Sequence, residues 1–216
     1  MKIIFLDIDG VLNADDDFYI KKGIRKGKRN PCPPSIKGYM GISKEKVEIL
    51  ARIVKKTDAQ IVLVSTWKHN YEKYLKYICG EIDYNSTFYS GTQIAVGRYL
   101  YNKLAAQGLS IMETTQKQEQ ELHDHGGYKY PLRGAAINLW LDQHSDLNIT
   151  NWIAIDDEPF LYTDDQVSDH LIKTDPYFRA LPYYLKNKTK PSEYDLSGMG
   201  LTQELADKAI ELLNKE

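Results

Sequence analysis

Only two cysteines, Cys32 and Cys79, occur in 216 residues. Two thiols exclude a disulfide framework and cannot by themselves hold a structural zinc. Free thiols in a reducing compartment are the expectation. Charge of one sign is lacking as well: 28 Lys and Arg stand against 30 Asp and Glu, a formal net charge of −2. Net charge therefore demands no polyanionic partner, though a local patch could still serve one. No apolar run approaches the ~18 residues of a membrane span. The apolar run after Lys2 is broken at Asp7, too soon and too acidically for a secretory leader. A soluble, cytoplasmic protein with no membrane contact and no obligate protein partner is expected. There is no internal repeat and no Gly-rich phosphate loop. Gly23 to Gly27 has neither a preceding strand nor the Gly-Lys-Ser/Thr ending. Tyrosine, in contrast, is plentiful at 16 residues, which suits strands and interfaces as well as stacking surfaces.

What is present is concentrated first in Lys2-Ile3-Ile4-Phe5-Leu6-Asp7-Ile8-Asp9-Gly10-Val11-Leu12-Asn13. The apolar, β-branched run Ile3 to Leu6 reads as a buried strand. Asp7 and Asp9 follow where it stops. If strand geometry continues, both point to one side, because side chains alternate with period two. Gly10 then allows a sharp turn. In an open α/β sheet, ligands bind beyond the carboxyl ends of the strands. Two acids there are costly unless paired, and a hard cation such as Mg²⁺ would satisfy them.

The same grammar recurs along the chain. Ser43 is an N-cap, with Val47, Leu50, Ala51 and Val54 at helical spacing behind it. Gln60 to Val64 is a second buried strand, continuous in its apolar character. It ends in Ser65-Thr66-Trp67-Lys68, where hydroxyls and free helix amides can bind a phosphate oxygen. A helix follows through Tyr71, Tyr74, Leu75 and Ile78, and another over Thr92 to Gln107. A short strand is expected over Leu109 to Met112. Arg133, with Lys129 as the other choice, is a cation placed before a helix through Ile137, Trp140 and Leu141, able to neutralise charge over a site. Asn151 to Ile155 repeats strand-then-acid with Asp156, Asp157 and Glu158. Adjacent acids face opposite sides of a strand, so both reach one site only if the strand has already ended. His170 to Asp175 reads as a last edge strand, and Thr202 caps a closing helix through Leu205, Ala209, Leu212 and Leu213. His123-Asp124-His125 lies in a polar run and is not expected to bind metal.

Phe-Leu-Asp-Ile-Asp-Gly-Val-Leu-Asn, Val-Ser-Thr-Trp, Arg-Gly-x-x-Ile-x-x-Trp-Leu, Ile-Asp-Asp and Gly-Leu-Thr, in that order, resemble the haloacid dehalogenase (HAD) superfamily of phosphohydrolases. Within it they look most like the HAD domains of Swiss army knife RNA-repair proteins. Lys68 is a departure, standing where Arg would be expected. The resemblance implies an α/β fold, a three-layer, doubly wound, mostly parallel HAD-like Rossmannoid sheet with a short flap or cap insertion after the first strand. Residues 1–216 would be one domain, with the flap at about 14–42 and polar insertions at about 80–91, 113–131 and 176–196.

The resemblance further implies a Mg²⁺-dependent phosphatase. Asp7 would be the nucleophile and Asp9 the general acid/base. Ser65, Thr66, Arg133 and Lys129 would bind phosphate. Asp7, Asp9, Asp156 and Asp157 would supply the metal ligands, Asp156 slightly ahead of Asp157. The substrate would be phosphorylated, with RNA or DNA ends reached through the basic residues of the flap, Lys21, Lys22, Arg25, Lys26, Lys28, Arg29 and Lys37. The alternatives are a small-metabolite or nucleotide phosphatase or phosphotransferase on the same core, and an inactive RNA- or protein-binding module.

Overall fold

The computed structural model describes residues 1–14, 18–21, 24–28, 32–36, 39, 41–84, 90–125, 133–159, 162, 165–175 and 199–215. Its centre is a five-stranded sheet of β1 (Lys2–Leu6), β4 (Gln60–Leu63), β5 (Ile111–Thr114), β6 (Asn151–Asp156) and β7 (Leu171–Lys173), in the order β5-β4-β1-β6-β7. Every pairing in it is parallel. The chain moves outward from β1 to β5, then returns to the other side of β1 for β6 and β7. The reversal places a topological switch point at the carboxyl end of β1, where α/β sheets bind ligands.

Period-two alternation divides the core between the two faces of the sheet. Ile4 and Leu6 join Ile61, Leu63, Ile153 and Ile155 on one face. There they meet α1 (Lys44–Thr57), α2 (Lys68–Ile78), α3 (Ser90–Ala105) and α7 (Gln203–Asn214) through Leu50, Tyr71, Leu100 and Leu213. Ile3 and Phe5 join Val62, Val64 and Ala154 on the other face, against Ile137 and Trp140 of α5 (Arg133–Gln143) and Val167 of α6 (Asp165–Ser168). Asp7 continues the parity of Ile3 and Phe5, and Asp156 that of Ala154. Both acids therefore leave the sheet on the side of α5, whose first residue is Arg133.

The long helices start and stop where their caps require. The Ser43 side chain accepts from the Lys46 amide, and Asp58 closes α1 in the left-handed region at φ 55°. The Thr202 side chain accepts from the Leu205 amide at the start of α7. Among the described residues no helix is long and apolar enough to cross a membrane.

Several segments differ from the sequence expectation. Residues 14–40, whose sequence shows no helical or strand periodicity of any length, contain an antiparallel ribbon of β2 (Phe18–Lys21) and β3 (Ile24–Lys28). A two-stranded ribbon needs no buried face, so it leaves no apolar alternation to find. Its side chains, and with them the basic residues of the expected flap, lie outside the described residues. The polar run after Glu113 forms α4 (Gln116–Asp124), with only Gln118 buried. Gln, Glu and Lys are strong helix formers, but without an apolar stripe their periodicity is invisible. The third strand lies two residues later than expected, at Ile111–Thr114, and the last is confined to Leu171–Lys173. Residues 176–196, expected as a surface insertion, lie outside the described residues.

Candidate active site

The site is built where β1, β4 and β6 end. β1 stops at Leu6, before the first acid, yet the ladder runs one step further: the Asp7 amide donates to the Ile155 carbonyl (3.0 Å) and the Val64 amide to the Leu6 carbonyl (3.0 Å). Asp7 is buried. Its Oδ1 has no hydrogen-bond partner, and Arg133 Nη2 stands 3.4 Å away. Burial pushes the Asp7 carboxyl up to about 8. Arg133 pulls against this, Asp156 adds to it, a hydrogen bond with the Ser65 side chain pulls down, and Asp9 adds again.

Asp156 is the most heavily bonded acid of the site. Its Oδ2 accepts from Arg133 Nη1 (2.5 Å) and the Tyr162 hydroxyl (2.7 Å), and its Oδ1 accepts from the Glu158 amide (2.9 Å). Burial pushes the Tyr162 phenol upward, and Asp156 adds to the effect. Burial opposes the charge on Arg133, but Asp7 and Asp156 more than offset it, so the guanidinium stays charged. Asp157 follows the end of β6, at a bend. The strand has ended between the two acids, which is the condition under which both can face one site. Burial first, then Asp156 and Glu158, push Asp157 to about 6.

Asp7, Asp156 and Asp157 each bring an oxygen into a group whose atoms all lie within 4.8 Å of one another. Asp9 is outside that group. It is exposed, and its oxygens are engaged elsewhere: Oδ1 accepts from Asn13 Nδ2 (2.9 Å) and Oδ2 from Trp67 Nε1 (2.9 Å). With β1 ended at Leu6, period-two geometry does not carry on to Asp9, and the two acids part. Ser65 is buried beside Asp7, whereas Thr66 is exposed. Arg133 reaches the acids as the sequence implies; Lys129 lies outside the described residues. His123, Asp124 and His125 are exposed at the end of α4.

A model of one family, the HAD domain in Swiss Army Knife RNA repair proteins, matches residues 3–178. The chain belongs to this family. No curated protein and no solved structure matches it. Membership points to a HAD-type phosphohydrolase, and the acidic cluster of Asp7, Asp156 and Asp157 fits a HAD active site. The donor set of this HAD domain also fits a hard divalent cation. It consists of converging carboxylate oxygens from Asp7, Asp156 and Asp157, and Asp7 carries a buried oxygen, Oδ1, with no hydrogen-bond partner.

Sequence reading missed the roles of five residues of the site. Gly10 has φ +77°, and a Cβ there would lie 2.7 Å from both oxygens of Asp157. The backbone thus gives the Asp157 carboxylate its room. Tyr162 had no motif to mark it. Asn13 and Trp67 stood inside motifs already noticed, but only the fold shows that both reach Asp9. Lys68 is the largest surprise. It is 2% exposed, and its Nζ meets the Val64 carbonyl (3.1 Å), the Ser65 carbonyl (3.3 Å) and Glu119 Oε1 (2.9 Å). Burial lowers its pKa, with Glu119 opposing. Its place directly after Ser65-Thr66-Trp67 was the available signal.

Proposed function

We propose that this HAD domain hydrolyses phosphomonoesters through a phosphorylated Asp7 with Mg²⁺ bound, and that its substrates include phosphorylated RNA or DNA ends. One observation carries the reading: a buried carboxylate, Asp7, grouped with Asp156 and Asp157, faced by Arg133 and with one oxygen that has no hydrogen-bond partner. A binding module has no use for so costly an arrangement. Family membership supports the phosphohydrolase class, and the family's description supports ends of RNA as the substrate to try first.

Asp7, Asp156 and Asp157 would hold the cation, which supplies positive charge against the repulsion between a carboxylate and a phosphate dianion. An Asp7 oxygen attacks phosphorus, and the bond from phosphorus to the ester oxygen breaks. Asp9 gives its proton to the departing oxygen, releasing an alcohol. Water then attacks the phosphorus of phospho-Asp7, Asp9 takes up the water's proton, and inorganic phosphate leaves with Asp7 restored. Arg133 and Ser65 flank Asp7 where the other phosphoryl oxygens would lie, so charge on those oxygens is met by a fixed cation and a hydroxyl.

The test is phosphate release from 3′- and 5′-phosphorylated oligonucleotides, free nucleotides and small phosphate esters, with Mg²⁺ and with chelator. Release from oligonucleotide ends in Mg²⁺ alone supports the whole reading. Release only from free nucleotides or small esters moves the substrate to metabolites. Oligonucleotide binding that weakens with salt, without release from any ester, contradicts it and favours the binding module.

A further inference from the structure

Asp9 differs from the other acids of the site in being exposed. An exposed carboxylate on a turn is ordinarily free to rotate, yet both oxygens of Asp9 are held. Trp67, 2% exposed, donates its indole N–H to Oδ2 at 2.9 Å. Asn13, fully buried, donates its amide to Oδ1 at 2.9 Å, and its own Oδ1 accepts from the Gly10 amide at 2.9 Å. Both donors are fixed in turn. Asn13 closes the turn from Asp9 to Asn13, and Tyr39 packs on Trp67 in an edge-to-face arrangement, at 5.4 Å and 73° between rings. Trp67 also belongs to the Ser65 turn, where its amide donates to the Ser65 hydroxyl at 3.4 Å.

We propose that Trp67 and Asn13 are positioning residues for Asp9, a two-point clamp that keeps this carboxylate out of the Asp7–Asp156–Asp157 group and aims it at the departing oxygen. The proposal rests on the reading of Asp9 as the proton-transfer group. A carboxylate oxygen has two lone pairs. One N–H on each oxygen fixes the plane of the group and leaves the other lone pairs for the proton. Released from the clamp, Asp9 could turn toward the cation beside Asp7 and be lost as an acid. The clamp also joins the first strand's turn to the second's, because Trp67 holds the proton-transfer group through its indole N–H and the phosphate-side Ser65 through its backbone amide.

Two measurements decide it. Removing the N–H with Trp67→Phe is expected to lower kcat on an alkyl phosphate by about 10- to 100-fold at nearly unchanged KM. On a dinitrophenyl phosphate, whose departing oxygen needs no proton, the loss is expected to stay below about threefold. Equal losses on both esters would show a merely structural role and overturn the proposal. Independently of turnover, the indole N–H resonance of Trp67, identified by its disappearance in Trp67→Phe, is expected to move upfield in Asp9→Ala, a change at an exposed site that leaves the fold intact. An unmoved resonance overturns the clamp. If the wild-type protein releases phosphate from no ester, the phosphatase reading fails, and the resonance alone decides whether Trp67 holds Asp9.

Discussion

The backbone of Gly10 lies against the carboxylate of Asp157, so closely that a Cβ at Gly10 would stand 2.7 Å from both of its oxygens. The φ of +77° at Gly10 adds a second reason for glycine. Gly10→Ala therefore strains the turn and pushes Asp157 out of the acidic group. A loss of about 1–3 kcal/mol in urea unfolding is expected. The stabilisation given by added Mg²⁺ should shrink as well, which a strained turn alone would not cause.

The acids set the pH dependence of the metal-free protein. Folding raises Asp7 from 3.8 to about 8 and Asp157 from 3.8 to about 6, in both cases chiefly by burial. The folded state thus binds more protons than the unfolded one between those values. Stability is greatest below the unfolded pKa and declines as pH rises toward about 8. Thermal melts in chelator should show that decline, and Asp7→Asn should flatten it and melt higher than wild type at pH 8. Cation binding must displace the same protons, so Mg²⁺ affinity should climb over this range with measurable proton release in calorimetry.

Much of this arrangement could be read from the sequence. Strand-then-acid at Asp7 and at Asp156–Asp157, hydroxyl-at-strand-end at Ser65, and cation-before-helix at Arg133 each express a local rule. The parallel sheet then brought Asp7, Ser65, Arg133 and the Asp156–Asp157 pair together. Asp9 and Lys68 were harder because their partners are remote. Asp9 depends on an indole 58 positions away and Lys68 on Glu119, and neither pairing leaves a periodic trace. Helix α4, which supplies Glu119, is polar on nearly every side and so looks like a loop.

Arg133 bridges two acids, Asp7 and Asp156. Arg133→Met leaves both without their counter-charge. Breaking a buried pair on one side costs about 3–5 kcal/mol. Here the cost should be smaller at pH 5.5 than at pH 8, because Asp7, raised to about 8 in the folded protein, is already neutral at the lower value and needs no counter-charge there. Urea unfolding at the two pH values checks the difference, and turnover should be lost at both.

Lys68 ties the Ser65 turn to α4. Lys68→Met removes the donor to two carbonyls and leaves Glu119, whose side chain is 21% exposed, without its partner. A destabilisation of about 2–4 kcal/mol is expected. Part of it should return in the Lys68→Met/Glu119→Gln double variant, where no carboxylate is stranded. A double-mutant cycle of unfolding free energies measures the coupling.

The central claim is that Asp7 is the group that takes the phosphoryl. Its most direct test is phosphate release by the Asp7→Asn variant, in Mg²⁺, on an ester that the wild-type protein hydrolyses. The variant should keep the wild-type circular dichroism and a cooperative melt, with turnover reduced at least about a thousandfold. Turnover within tenfold of wild type by a pure, folded Asp7→Asn sample would contradict the account.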